Sequence, residues 1–449
     1  MNVFVIIADS LRKDHVGCYG NDWIKTPNFD KFAGESAKFT EAYPEGLPTG
    51  PARAAMWTGK YTLPFHSWKN FTDDDVLLPE LLWDKGYEKA MITDVYHMHR
   101  PKRNWGRGYQ YTHFIRGQEE DPYLIDPDIE VDMDSVWVDD GKGPDGHNFR
   151  QTYQYLKNTA HWKGSEDTFV AQTVKEGVNW IEKTGKKDNL FLWLDCFDPH
   201  EPWDPPEEFH TYNPGYKGKK VMNPTPGLVE GYLTPEELQE TRALYAGEVS
   251  LVDHWIGHFL DYLKDNGFYD NSLIMITSDH GEPLGEHGVL RKCRSWSHFE
   301  LSEIPWLIRH PEGIGAGKSI DAFVQLSDLT PTVLDYLGME RPDYMHGLSL
   351  LPLMSGEKEK LRDFAISGWY NRNWSSRNHE WSYHYYLPTS PHEIQLARSG
   401  NRTTPELFNR KTDPQEQVNV IDEHEDIGNA MEVELRTFME SLVRGTFES

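Results

Sequence analysis

Three short segments, "NVFVIIADS" from residue 2, "NLFLWLDCFDPH" from residue 189 and "SLIMITSDHGE" from residue 272, are apolar at nearly every position and then stop at aspartate. Runs without polar alternation suit strands buried on both faces of a parallel sheet. Between them, residues 168–185 and 245–267 repeat their apolar positions with a helical period. The pattern predicts an α/β fold: a large, mostly parallel central sheet flanked by helices. In such sheets ligands bind beyond the carboxyl ends of the strands, where Asp9, Asp195, Asp198, Asp279, His200 and His280 would gather. Any one of these aspartates could simply begin a loop or cap a helix. Three runs ending the same way, two with a nearby histidine, point to a metal site.

Other segments punctuate this frame. "PARAAMWTG" (51–59) reads as a short helix with Pro51 in its first turn, Gly59 at its end and Thr49 just ahead of it. A hydroxyl there lies in the field of the positive helix end, with Arg53 one turn on. The stretch 212–238 reads as a long Pro-rich surface loop leading to a helix start at Thr234, and 327–338 as a capped helix stopped by Gly338. "IRGQEED" (115–121) reads as a charged surface turn, one that would border the pocket if it were not merely exposed. Past residue 346 the texture changes to alternating aromatic segments such as "EWSYHYYL". The prediction is a catalytic domain over 1–345 and a smaller α+β domain with an antiparallel sheet over 346–449.

Composition narrows the partners. Against 72 Asp and Glu there are 45 Lys and Arg, a formal charge of −27 over 449 residues. Nucleic acid and anionic membrane surfaces are therefore poor partners, and a small anionic substrate would need its few cations concentrated locally. Cys18, Cys196 and Cys293 are too scattered for a disulfide framework. No secretory signal and no apolar stretch long enough to span a bilayer is visible, so a cytoplasmic location is expected, although a processed secreted form would read the same. Subunit number, including a homo-oligomer, is left open.

The stretch "T-G-P-A-R-A-A-M-W-T-G-K" from Thr49 resembles the signature of the sulfatase family of the alkaline phosphatase superfamily, with Pro51, Arg53, Thr58 and Gly59 in register. Five further segments match in family order: "IIADSLRKDHVGCYG" (6–20), "DPHEPW" (198–203), "TSDHGEPLGEHGVLRK" (277–292), "IPWLIRHPEG" (304–313) and "ELFNRKTDPQEQVN" (406–419). The resemblance implies that Asp9, Asp279, His280 and Thr49 hold one divalent cation. That donor set suits Mn, Ca or Mg, with Zn also compatible. It further implies that Thr49 is the nucleophile, that Arg53 stabilises the developing charge, and that His200 or Lys292 serves the leaving oxygen. His97 lies near the family's Lys-x-His pair, with His99 an alternative. His287 is as readily structural as substrate-facing.

Two positions depart from the pattern. Ser10 stands where the family often has a second carboxylate, which brings the ligand set closer to phosphonate monoester hydrolases and phosphoglycerol transferases. Thr49 stands where sulfatases oxidise Cys or Ser to formylglycine, and a threonine cannot yield that aldehyde. The expected activity is metal-dependent hydrolysis of a phosphate or sulfate ester, favouring a phosphodiester or phosphonate monoester, with no formylglycine. The alternatives are a sulfatase of sulfated sugars or aryl sulfates working without formylglycine, and an inactive protein that binds a sulfated or phosphorylated ligand.

Overall fold

The computed structural model describes residues 1–387 and 404–447. In chain order the strands are β1 (Asn2–Ala8), β2 (Ala37–Tyr43), β3 (Glu88–Thr93), β4 (Tyr111–Phe114), β5 (Leu190–Cys196), β6 (Gly227–Leu228), β7 (Ser272–Thr277), β8 (Val289–Leu290), β9 (Trp306–Arg309), β10 (Ser319–Gln325), β11 (Ala365–Trp369), β12 (Asn373–Arg377), β13 (Trp381–Tyr386) and β14 (Glu406–Asn409). Eight of them form the central sheet, in the order β10-β2-β9-β7-β1-β5-β3-β4. Its neighbours pair in parallel except at β9, which runs antiparallel to both β2 and β7.

The apolar runs are continuous because both faces of the sheet are covered. Along β1, Val3, Val5 and Ile7 enter one core with Trp57, Phe191 and Trp193. Phe4, Ile6 and Ala8 enter the other, against the helices Phe169–Thr184 and Pro235–Asp265. Strand alternation thus distributes one apolar run between two layers. Thr234 caps the second of these helices as expected, accepting from Glu237 N at 3.2 Å. That helix continues unbroken for 31 residues. The helix before Gly338 also forms, over Leu329–Tyr336.

Strands β11 to β14 make a separate antiparallel sheet in sequence order. The helix Glu425–Arg444 lays Met431, Leu435, Met439 and Leu442 on Ile366, Trp381, Tyr383 and Leu407, the spacing of one helical face. Residues Met345, Leu350, Leu353 and Met354 instead belong to the core of the large sheet. The two sheets also touch through the polypeptide that leads to Thr49: Leu47 N donates to Gly368 O at 2.9 Å.

Two readings are corrected. The 212–238 stretch is not simply a surface loop, because Val221, Met222, Asn223 and Thr225 are buried and β6 pairs with β8. Nor is 115–121 an exposed turn: Ile115, Gln118, Glu119 and Asp121 are all buried, the Arg116 and Gly117 N–H groups being tied to Asp121. Periodicity could not reveal either, since both segments are irregular backbone covered by the helix His147–Thr159 and its neighbours. No helix among the described residues is long and apolar enough to cross a membrane.

Glu416 fastens the second sheet to the first. Its carboxylate accepts from His298 Nδ1 at 2.8 Å and Phe299 N at 3.2 Å, and pairs with Arg377 at 3.2 Å and His384 at 3.3 Å. Burial alone would raise this carboxyl, but Arg377 and His384 hold it well below its ordinary range. Removing one partner of such a buried set strands the others. Glu416→Ala is therefore expected to cost roughly 3–5 kcal/mol in urea denaturation, whereas Glu423→Ala, at an exposed position, should leave the midpoint in place. Because the folded carboxyl is depressed, its contribution is present above the unfolded value of about 4.3 and fades as pH falls below it. The deficit of the variant should narrow in the same window.

Candidate active site

The sheet order explains the convergence that the aspartate-ended runs suggested. Strands β7, β1 and β5 are adjacent and parallel, so Asp279 just beyond β7, Asp9 just beyond β1 and Asp195 near the end of β5 reach the same edge. The helix Thr49–Thr58 is laid across that edge and is buried along its whole length. Pro51 lies in its first turn, and Gly59, at φ 66°, ends it with its N–H on Ala55 O at 2.9 Å. Thr49 is the first residue of the helix, following Pro48, rather than the residue ahead of it. Gly50 has no room for a side chain, since a Cβ there would lie 2.4 Å from the ring of Trp68.

Arg53 is the hub. Its Nε and Nη2 form a fork on Asp195 at 2.9 and 2.6 Å, and Nη1 meets both Asp279 and, at 3.1 Å, Asp9. Trp193 Nε1 donates at 2.9 Å to Asp195 Oδ2, the oxygen that Arg53 Nε also meets. All four side chains are fully buried. The guanidinium is thus committed to three carboxylates, which leaves the inner cluster with a formal deficit of two positive charges. An outer group is balanced: Lys292 bonds Glu201 at 3.0 Å and Glu282 at 2.8 Å, and Arg291 also pairs with Glu201.

Hydrogen bonds fix which oxygens and nitrogens remain available. Asp9 Oδ1 accepts from Ser10 Oγ at 2.8 Å, while the buried Asp9 Oδ2 accepts no hydrogen bond and meets only Arg53 Nη1, as an ion pair at 3.1 Å. Ser10, at φ 62°, also gives its N–H to Asp279 Oδ1 at 3.0 Å, so it orients the two carboxylates. His280 Nδ1 lies 2.8 Å from Gly281 O, and a carbonyl can only accept, so the proton is on Nδ1 and Nε2 carries a lone pair. That nitrogen stands 3.2 Å from Thr49 Oγ1. Burial holds His280 down to about 4, so the ring is neutral. Burial and the nearby Asp279 push Asp9 well above the ordinary carboxylate range.

These features fit a divalent cation. Asp9, Asp279 and His280 offer ligand atoms within 4.8 Å of one another, with a carboxylate oxygen that accepts no hydrogen bond, an imidazole nitrogen carrying a lone pair and a formal charge deficit that one such ion would cancel. A second group, His298, His384 and Glu416, is equally compact. Arg377 already serves its carboxylate, and His287, pushed up to about 9 by Glu300 against the effect of burial, has its ring tilted against that of His298 at 4.5 Å. That group has no charge deficit for a cation to fill.

The remaining candidates divide. His200 is buried and stacks on Phe197 at 3.8 Å. Its Nδ1 lies 2.6 Å from Glu201 O. His97 is a quarter exposed, at 24%, and its Nε2 lies 2.7 Å from Glu119 Oε2. His99 stacks on Phe114 at 4.0 Å, away from the cluster. His287 is tied to Glu300 at 2.8 Å and to Glu416 O at 2.9 Å, as part of the junction between sheets. Sequence reasoning missed the partners Glu119, Glu201 and Glu282 and the cover Trp68. Only the position of Glu201 beside His200 and of Glu282 beyond His280 gave a signal.

A doubly covered α/β sheet with a cation-competent aspartate and histidine cluster at its carboxyl edge, and a hydroxyl at a helix start, defines a hydrolase of the alkaline phosphatase type. The sequence model of the sulfatase family matches residues 1–339, and that of the N-sulphoglucosamine sulphohydrolase C-terminal region matches 285–441. The chain belongs to the sulfatase family of ester hydrolases. It is 26% identical to an N-acetylglucosamine-6-O-sulfatase of Bacteroides thetaiotaomicron, over 94% of this chain and 82% of that one. It is likewise 26% identical to the multifunctional alkaline phosphatase superfamily protein PehA of Trinickia caryophylli, over 80% and 77%. Among solved structures, the phosphonate monoester hydrolase of Agrobacterium radiobacter shares the fold with a TM-score of 0.73 and 19% identity, over 99% of this chain and 96% of that one.

If the inner cluster is a cation site, Asp9→Asn relieves like-charge repulsion in chelator-treated protein while removing a ligand. The expected outcome is a melting temperature at or above that of the wild type without metal, together with loss of the upward shift that Mn²⁺ or Ca²⁺ gives the wild type. Differential scanning calorimetry with and without chelator checks both halves.

Proposed function

We propose that the chain hydrolyses an ester of a phosphorus or sulfur oxyacid with Thr49 as the nucleophile, and that its substrate is a phosphodiester or phosphonate monoester. The observation that carries this reading is the Thr49 hydroxyl, 3.2 Å from the bare Nε2 of His280 at a helix start beside Asp9 and Asp279. A divalent cation held by Asp9, Asp279, His280 and Thr49 would lower the pKa of the hydroxyl and offset the charge on the ester oxygens.

Thr49 Oγ1 bonds to the central atom as the bond to the leaving oxygen breaks. The helix dipole supports the negative charge gathering at that end, since Thr49 is the first helical residue. Release of the adduct is where the residue type matters. The methyl on Cβ prevents formation of an aldehyde, so the Thr49 adduct must be cleared by water attacking the central atom, which returns the proton to Oγ1. A phospho-threonine is cleared by that route more readily than a sulfo-threonine. His200 suits the second step: with its proton on Nδ1, fixed by Glu201 O at 2.6 Å, its Nε2 keeps a lone pair that can accept a proton from water.

Thr49→Val keeps shape and removes the hydroxyl. With bis(4-nitrophenyl) phosphate, 4-nitrophenyl phenylphosphonate and 4-nitrophenyl sulfate as substrates and Mn²⁺ or Ca²⁺ present, it is expected to lower kcat by about 10⁴-fold or more. Acid quenching of the wild type during turnover should leave a phosphoryl group on Thr49, detected by peptide mass spectrometry and phosphorus NMR. Preference for the sulfate ester would establish the sulfatase alternative. No turnover of any ester, with tight binding of anions, would establish the binding protein.

A further inference from the structure

The helix that begins at Thr49 ends beside a second concavity. At about 1.5 Å per residue, its last residue, Thr58, lies roughly 14 Å from Thr49. There Ala54 and Thr58 help to line a cavity of about 290 Å³, at the lower end of the range for ligand pockets and suited to a molecule of one ring. None of its lining residues belongs to the cluster around Arg53 or to the group around Lys292. Main-chain bonds build its wall. Beyond Gly59 the polypeptide runs on through Lys60 and His66, and a later segment closes against it, with His346 N and Gly347 N donating to Gly59 O at 2.9 and 3.0 Å.

Two histidines of the lining are fixed by the backbone in opposite tautomers. His346 Nδ1 lies 3.0 Å from Tyr61 N, and an N–H can only donate, so Nδ1 accepts and the ring proton is on Nε2. Burial, with Lys60 and Arg341 nearby, holds this ring down to about 4, so it is neutral. His66 is the reverse case. Its Nδ1 lies 2.8 Å from Ser67 O and carries the proton, which leaves Nε2 as an acceptor, and burial lowers this ring too. Neither Nε2 has a hydrogen-bond partner among the described residues. The Lys60 ammonium rests over the ring of Tyr344 at 4.5 Å and forms no ion pair among the described residues, whereas Lys69, also in the lining, is paired with Asp75 at 2.8 Å. In a chain of formal charge −27, this cavity therefore holds an unbalanced positive charge. Two exposed rings complete it: Phe65, nearly parallel to His346 at 6.2 Å, and Tyr344.

We propose that this cavity binds a small hydroxylated organic anion, a sugar acid or sugar phosphate of one ring, at a site separate from the one that holds Thr49. The anionic group meets Lys60 and the Nε2 proton of His346, a hydroxyl donates to His66 Nε2, and the apolar face of the ring lies against Phe65 or Tyr344. A neutral sugar leaves Lys60 without a counter-charge. Inorganic phosphate leaves His66 and both aromatic rings unused. The assignment is independent of which ester is cleaved at Thr49.

Isothermal titration calorimetry of the full chain with glucuronate, glucose 6-phosphate and glucose tests it. At least one of the two anions is expected to bind saturably at one site, with glucose about tenfold weaker or more. Binding of glucuronate alone identifies a carboxylate as the favoured group, and binding of glucose 6-phosphate alone a phosphate. Lys60→Met is expected to weaken the anion by about tenfold or more while leaving turnover of bis(4-nitrophenyl) phosphate unchanged. Should that variant not fold, Phe65→Ala, at an exposed ring, should weaken the anion severalfold. The affinity should be the same in Mn²⁺ and in chelator, because the cation cluster takes no part. No saturable binding of either anion, equal affinity for glucose, undiminished affinity in the variants, or affinity that requires Mn²⁺ would overturn the proposal, the last by placing the anion at the cation cluster. A wild type that binds the anion yet cleaves no ester would refute the hydrolase reading and leave this site standing.

Discussion

Burial of like charges at one edge of a sheet is the constraint around which this molecule is arranged. Asp9, Asp195 and Asp279 are carried there by three adjacent parallel strands, and Arg53 is the one guanidinium among them. Three carboxylates in a dry interior would be untenable without it, since the cost of desolvating each is several kcal/mol. The helix Thr49–Thr58 is therefore held in place by electrostatics as much as by packing. Because Thr49 is one turn before Arg53, whatever fixes the guanidinium also fixes the hydroxyl.

Carbonyl groups set the chemistry of the histidines. His280 and His200 each follow the same rule: the Nδ1 proton goes to a nearby main-chain oxygen, Gly281 O in one case and Glu201 O in the other. Each then presents a bare Nε2. For His97 the neighbour is a carboxylate, Glu119, and it meets Nε2 instead. Which nitrogen of each ring meets the neighbouring acceptor is thus set by a single nearby atom, with no difference in residue type.

The antiparallel sheet is tied to this arrangement at two points. Leu47 bonds to Gly368 just before the helix Thr49–Thr58, and Glu416 gathers His298, His384 and Arg377 where the polypeptide after β8 meets the second sheet. The segment carrying Arg291 and Lys292 lies between β8 and that junction. Order in the outer, charge-balanced group thereby depends on residues more than a hundred positions away in the chain.

What the chain determined by itself was the frame. Unbroken apolar runs ending at Asp9, Asp195 and Asp279 specify buried parallel strands and a polar carboxyl edge, because a strand covered on both faces admits no polar residue until it ends. Pro51 and Gly59 likewise delimit a helix through backbone geometry, and the segments around them carry the family resemblance in order. The partners were decided only by folding. Glu119 looks like an ordinary surface charge in sequence, and 115–121 and 221–225 look like loops. Neither charge nor periodicity records that irregular backbone will be roofed over and its carboxylates turned inward. Which oxygen faces which imidazole is a matter of tenths of an ångström, set by packing between elements distant in sequence, and no local pattern of residues encodes it.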